Sequence, residues 1–345
     1  MRNVLNVLAI SGGYIAALIG AGFASGQEIV SFFLKYGKFS IVGVFIACLL
    51  FGLFSYTVLA RCTERGFLTY ADFTKTVFKG KYSVIIEYVT VIFAFMSVCV
   101  MTACAGEMGT VLFGVSKIIG AGVFTVVCGI IFLMDAKKIM RINAFLGGVI
   151  IFGIIFSCFY ILRFREHQTF LNEASMVVSG VTYAGYNLLT AGSILAGMST
   201  FIKSRREAML SSAVSGVVLF IMITLIWGVL GIYYGKINLG EVPMLTMALR
   251  QNNLLGGFYG LMLIFAVLTT GVSNGFCIID TMHSKIGRGK SVFLVLLCGF
   301  CLSGAGFANL INTAYRLCGY VGIAVVFAVI YNFFKKSDKS SKKEN

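Results

Sequence analysis

The chain is poor in the residues that punctuate and charge a soluble protein. Its 345 residues include one proline, two histidines and one tryptophan, and only 12% are Asp, Glu, Lys or Arg. Soluble domains carry about 25% of such charges, so a water-facing surface of this size is excluded. Two histidines, His167 and His283, both at the predicted membrane edges, build no metal cluster. The single proline, Pro243, falls in a predicted loop, which leaves glycine as the residue able to open a helix inside an apolar segment. No phosphate-cradling glycine loop is present to drive pumping. Paired acids or a serine with a base at mid-depth are also missing, so the sequence points away from an enzyme.

What is present is apolar. Hydrophobic residues make up 59% of the chain and mean hydropathy is +0.94. Apolar runs recur near or above the ~20 residues that cross ~30 Å of hydrocarbon as a helix, without the short alternating strands of a barrel. The sequence therefore predicts an all-α membrane protein of ten spans: 4–34, 40–60, 83–113, 117–134, 140–162, 173–200, 208–234, 253–284, 291–304 and 307–334. Residues 1–334 form one transmembrane domain, and 335–345 a solvated basic tail. Cys48, Cys99, Cys104, Cys128 and Cys158 lie inside apolar runs and read as small buried hydrophobes. Cys298 and Cys301 have redox-motif spacing, but inside a predicted span they read as packing.

The net charge of +15 collects in short loops. With the N-terminus inside, twenty of the 28 Lys and Arg residues fall on the cytoplasmic side and seven outside. That bias predicts both termini in the cytoplasm of a cell-membrane protein. The positive charge thus reports topology, with the lipid bilayer as partner and no nucleic acid.

Ten spans divide into halves of five, 4–162 and 173–334. Because five is odd, the second half enters from the opposite side, as an inverted repeat. The first span holds "GYIAALIGAGFASGQEIVSFF", Gly13 to Phe33. As a straight helix, residues 4–34 would be roughly 46 Å long, too long for the bilayer core. Their midpoint falls at Ile19 and Gly20. The midpoint of the sixth span falls at Tyr186 and Asn187, between Gly185 and Gly192. Such glycines either let a neighbouring helix approach or open the helix at a binding site. Their matching depth in both halves favours the second reading, with helices 1 and 6 discontinuous.

In the eighth span Thr269 and Thr270 lie at the midpoint, one turn after Ala266. Their hydroxyls either bond back to their own helix or, beside unwound carbonyls, complete an oxygen cage for a hard cation. Glu28 and Arg316 are costly charges within the outer halves of the first and last spans. The expectation is that they pair as a gate across the outer entrance, the alternative for Glu28 being a wetted interface position.

"IGAGF", Ile19 to Phe23, resembles the glycine signature of the first helix in the amino acid-polyamine-organocation superfamily, and the five-plus-five order resembles the LeuT fold. More narrowly, the chain is similar to the YkvI-like bacterial membrane proteins. The resemblance implies that Gly20, Ala21 and Gly22, with Gly26 and Gln27 beyond, border a substrate whose carboxylate meets backbone amides. Tyr183 and Tyr186 would cover the ligand and Asn187 orient it. It further implies a sodium ion held by the carbonyls of Gly20, Phe23 and Ala266 and the hydroxyls of Thr269 and Thr270. Gln27 stands where some sodium symporters have asparagine. The interior of the fifth span, Asn143 to Tyr160, lacks the lysine of some proton-coupled relatives, which favours sodium over a proton. The function implied is secondary active transport of a small zwitterion such as an amino acid, with a nutrient receptor on the same fold as the alternative. No organic cofactor is expected.

Overall fold

The structure is a computed structural model that describes residues 2–65, 74, 75, 77, 78, 80–134, 136–163, 176–198 and 201–341, and its regular elements are helical. In chain order they are α1 (Arg2–Leu18), α2 (Ala21–Ala24), α3 (Gln27–Phe32), α4 (Ser40–Arg65), α5 (Lys81–Phe113), α6 (Lys117–Phe132) and α7 (Ala136–Leu162). There follow α8 (Met176–Gly197), α9 (Arg205–Tyr233), α10 (Pro243–Gln251), α11 (Asn253–Ile286), α12 (Arg288–Ser303), α13 (Phe307–Leu310) and α14 (Arg316–Ser341). A π turn, Ile311–Tyr315, joins the last two. Among the described residues six helices are long and apolar enough to cross a membrane, and Asn6–Leu18 and Lys117–Phe132 are shorter apolar helices. Large apolar side chains such as Phe113, Ile118, Leu133, Phe145 and Leu254 point outward, as expected where the solvent is lipid. The protein is a multi-pass membrane protein. The start of the predicted basic tail continues α14 as far as Ser341; residues 342–345 lie outside the described residues.

The first span breaks at its glycine cluster. α1 stops at Leu18, Gly20 is extended (φ −87°, ψ 179°), and α2 lasts only four residues. A second interruption follows at Gly26, whose φ of +80° is left-handed. A side chain there would be strained, and a Cβ would also lie 2.8 Å from Leu230 Cδ1 and 2.9 Å from Met244 Cγ. Carbonyls released by the breaks need donors, since lipid supplies none. Ser25 Oγ donates to Gly22 O at 3.0 Å, the Tyr259 hydroxyl of α11 to Ala24 O at 2.5 Å, and the Met244 N–H of α10 to Ser25 O at 2.8 Å. At the far end of α3, the Ser179 hydroxyl of α8 donates to Phe32 O at 2.5 Å.

The sixth span corrects the sequence expectation, because α8 runs without interruption through Tyr186 and Asn187. Gly185 serves the other use of glycine. A Cβ there would lie 2.9 Å from Ile323 N and closer still to Gly319 O, so α8 and α14 cross with their backbones in contact. Asn187 Nδ2 donates to Tyr183 O at 3.0 Å within the same helix, and so reinforces the turn it was expected to open.

Two groups of helices enclose the broken span. α4 packs on α8 and α9, with α1 and α14 against the same set; α11 packs on α5, α7 and α12, and α5 on α6. α2 touches α5 and α11, while α3 touches α8, α9 and the π turn. The interrupted backbone therefore lies between the groups rather than against lipid.

Gly26→Ala is expected to destabilise the purified protein by about 2 kcal/mol, from the left-handed backbone and overpacking together. Gly12→Ala, at a helical site where a Cβ meets nothing within 4 Å, should leave the melting temperature unchanged or raise it slightly. Parallel thermal unfolding of the two variants checks both.

Candidate functional site

The first turn of α3 carries Glu28 into the interior, where the residue is 4% exposed. Its carboxyl lies over Gly22: a Cβ on that glycine would sit 2.8 Å from Glu28 Cδ and 3.0 Å from its Cγ. The carboxyl faces the hydroxyls of Tyr183 and Tyr186 on α8. Neither Glu28 Oε2 nor the Tyr186 hydroxyl completes a hydrogen bond within the protein, although both are buried. Among the described residues Glu28 forms no ion pair.

Aromatic rings close the surroundings. Ring centroids lie 5.6 Å apart for Phe32 and Tyr183, 5.4 Å for Phe32 and Tyr186, and 5.5 Å for the two tyrosines. Tyr315, from the π turn, stands 4.8 Å from Tyr186, and Phe93 of α5 stands 5.7 Å from Tyr186 and 5.3 Å from Tyr315. The sequence reading missed Phe32, Phe93 and Tyr315. In a chain with 32 phenylalanines their spacing is that of ordinary core positions, and nothing in the composition marks the π turn that brings Tyr315 inward.

The expected pairing of Glu28 with Arg316 is not formed. Arg316 Nη2 donates to Ser31 O at 3.0 Å, and its guanidinium lies 5.4 Å from the Phe32 ring centroid. A carbonyl left open near the end of α3 and a π face hold the arginine, although its Nε is buried without a partner, while the carboxyl faces the tyrosines. Gln27 is buried beside Glu28; its Nε2 reaches Ser31 Oγ at a long 3.5 Å and its Oε1 is unpartnered. Ala21 and Gly22 are buried in α2.

Gly20 and Thr270 do meet. A Cβ on Gly20 would lie 3.4 Å from Thr270 Cγ2 and 3.5 Å from its Oγ1. Thr269 takes the bond-back option, donating to Ala266 O at 3.1 Å. Gly20 O and Phe23 O accept from the N–H groups of Ala24 and Gly26 at 2.9 and 3.0 Å. Each of these carbonyls retains a second lone pair, so hydrogen bonding does not disqualify the oxygens as cation ligands. Sequence reasoning also missed the polar side chains that brace this part of α11. Asn143 of α7 donates to Ser273 Oγ at 3.0 Å, and Asn274 donates to Ser97 Oγ at 3.0 Å and to Thr270 O at 3.1 Å.

A third polar cluster joins Lys117 to both Glu107 and Glu241, and Glu241 Oε2 accepts the Ala308 N–H at 2.8 Å. Burial works to raise the Glu241 carboxyl, but the Ala308 N–H and Lys117 outweigh it and hold the group below the ordinary carboxylate range. This cluster ties α5, α6, the segment before α10, and α13.

No protein-family model matches the chain. The uncharacterized membrane protein YkvI of Bacillus subtilis (strain 168) is 25% identical over 328 residues, covering 92% of this chain and 93% of that protein. Among solved structures, inward-facing Mhp1 aligns with a TM-score of 0.65 at 14% identity, over 95% of this chain and 76% of Mhp1. A substrate-bound, outward-open Na+-coupled sialic acid symporter aligns with a TM-score of 0.63 at 12% identity, over 93% of this chain and 78% of that one. The fold is that of the LeuT-fold transporters.

Because Glu28 and Arg316 do not pair with each other among the described residues, the melting-temperature shifts of Glu28→Gln and Arg316→Gln should add in the double variant. In free-energy terms the coupling is expected to be under about 0.5 kcal/mol. A larger coupling would show that the two charges do interact in the ligand-free protein.

Proposed function

We propose that the chain is a secondary active transporter that moves a small zwitterionic solute, such as an amino acid, by alternating access, with sodium as the coupling ion. The observation that carries this reading is the interrupted first span, its non-helical backbone held between two helix groups. Irregular backbone at membrane depth is tolerated where it is enclosed by protein or lines a cavity, and transporters place their sites at such breaks. The shared fold with Mhp1 and the sialic acid symporter supports transport rather than catalysis. Ten spans in two inverted halves, 4–162 and 173–334, with both termini in the cytoplasm of a cell membrane, form the topology on which this reading rests.

In this reading the solute lies beside Gly20, Ala21 and Gly22, bordered by Gly26 and Gln27, with Tyr183, Tyr186 and Asn187 opposite. Sodium sits between the first and eighth spans, on the carbonyls of Gly20, Phe23 and Ala266 and the hydroxyls of Thr269 and Thr270. The contact of Gly20 with Thr270 supports the cage. Its oxygens are neutral dipoles, which suits an ion that must be released again. Rocking of one helix group against the other would expose the site to each side in turn, and Arg316, near the end of α3, is placed to report that motion.

The test is uptake of labelled amino acids by proteoliposomes with and without an inward sodium gradient. Gradient-driven accumulation is expected, and the double variant Thr269→Ala, Thr270→Ala should lose its sodium dependence. Accumulation that stays sodium-dependent in the double variant rejects the cage. Binding without uptake under any gradient rejects transport and leaves a receptor on this fold.

A further inference from the structure

The Glu28 carboxyl occupies the place over Gly22 where a solute carboxylate would be expected to meet the first span. Two carboxylates in contact within a water-poor interior repel. The rings around Glu28 have the same preference, since π faces attract cations and repel anions. Glu28 Oε2 and the Tyr186 hydroxyl are both unpartnered, in residues 4% and 1% exposed. Arg316, the charge expected to pair with Glu28, is held instead by Ser31 O and the Phe32 ring. The site therefore has acceptor capacity and a favourable environment for positive charge, and among the described residues no cation pairs with Glu28, Arg316 lying instead on the Phe32 ring.

A hard metal ion is a poor match, because it takes about six or more oxygens. Here one carboxyl and tyrosine hydroxyls are set among rings, and no group of three His, Cys, Asp or Glu occurs among the described residues. An ammonium group fits better: it carries a full charge, directs hydrogen bonds to a few acceptors and rests its remaining surface on aromatic faces.

We infer that this site binds the positively charged amine of the solute. Glu28 is its counter-charge, Tyr186 a hydrogen-bond acceptor, and Phe32, Phe93, Tyr183 and Tyr315 the ring wall around it. The solute is turned so that its ammonium, not its carboxylate, lies next to Gly22. A carboxylate is then dispensable, and simple primary amines are ligands. This inference rests on the proposed reading that the break in the first span borders the solute.

The test uses the full chain purified in detergent and two matched sets of probes: leucine, isoamylamine and 4-methylpentanoate; phenylalanine, phenethylamine and 3-phenylpropanoate. Thermal stabilisation and equilibrium binding are measured for each. In at least one set the amine should bind within about tenfold of the amino acid, with no stabilisation by the acid. Glu28→Gln should weaken amine binding roughly 10- to 100-fold, as expected for loss of a charge-assisted hydrogen bond, and Tyr186→Phe should weaken it several-fold. Stabilisation by the acids but not the amines overturns the inference, as do no response to either amine and an amine affinity in Glu28→Gln within twofold of wild type. Should Glu28→Gln fail to fold, the wild-type comparison of amine with acid decides alone. Amine binding without uptake under any gradient removes the transporter reading and leaves this one standing. Gradient-driven uptake of an amino acid that is unaffected by Glu28→Gln does the reverse.

Discussion

Backbone pairing in an apolar medium is the constraint on which this structure depends. An unpaired carbonyl in hydrocarbon costs several kcal/mol, and the first span is interrupted at Gly20 and again at Gly26. The freed groups are satisfied from four directions: Tyr259 of α11, the Met244 N–H of α10, Ser179 of α8 and Arg316 of α14. Helices distant in sequence are thus pinned to one short stretch of chain. Any motion between the two helix groups must preserve these bonds or exchange them, so the break acts as a joint whose positions are discrete.

The break was legible in the glycines at the middle of a 31-residue span, which must tilt, bend or unwind to fit the bilayer core. Length alone does not decide, since α5 and α11 run 33 and 34 residues without a break. The sequence reading failed at the sixth span for a physical reason. Glycine serves both helix opening and helix crossing, and the two uses look alike until the partner helix is known. Gly185 faces Gly319 and Gly322, small residues in a span 130 residues further along the chain, and only tertiary structure reveals that match. The last span carried the opposite error. Its π turn left no mark in composition, yet it turns Tyr315 toward Tyr186.

The charges were misread in a similar way. Opposite signs near one predicted entrance suggested Glu28 and Arg316 as partners, but a helix fixes direction as well as depth. Arg316 found an open carbonyl and a ring, whereas Glu28, on the first turn of α3, faces inward to tyrosines. The threonines differ within one motif: Thr269 bonds back to Ala266, and its neighbour Thr270 lies against Gly20. Neighbouring residues point about 100° apart around a helix, so the two hydroxyls start from different directions even though the proposed cage would use both.

The two proposed sites differ in how each would recognise positive charge. The cage proposed around Gly20 and Thr270 uses neutral oxygens, whose dipoles are already arranged by the fold. The Glu28 site uses a full carboxyl whose Oε2 has no protein partner. A buried, unpartnered polar atom costs stability, and a bound amine would remove that cost wherever the site is shut off from water while leaving a water-exposed arrangement less affected. A ligand shifts a conformational equilibrium only by its difference in affinity between states. In the proposed reading, a carboxyl oxygen without a protein partner, set among aromatic rings, would supply such a difference, and the solute itself would favour closure.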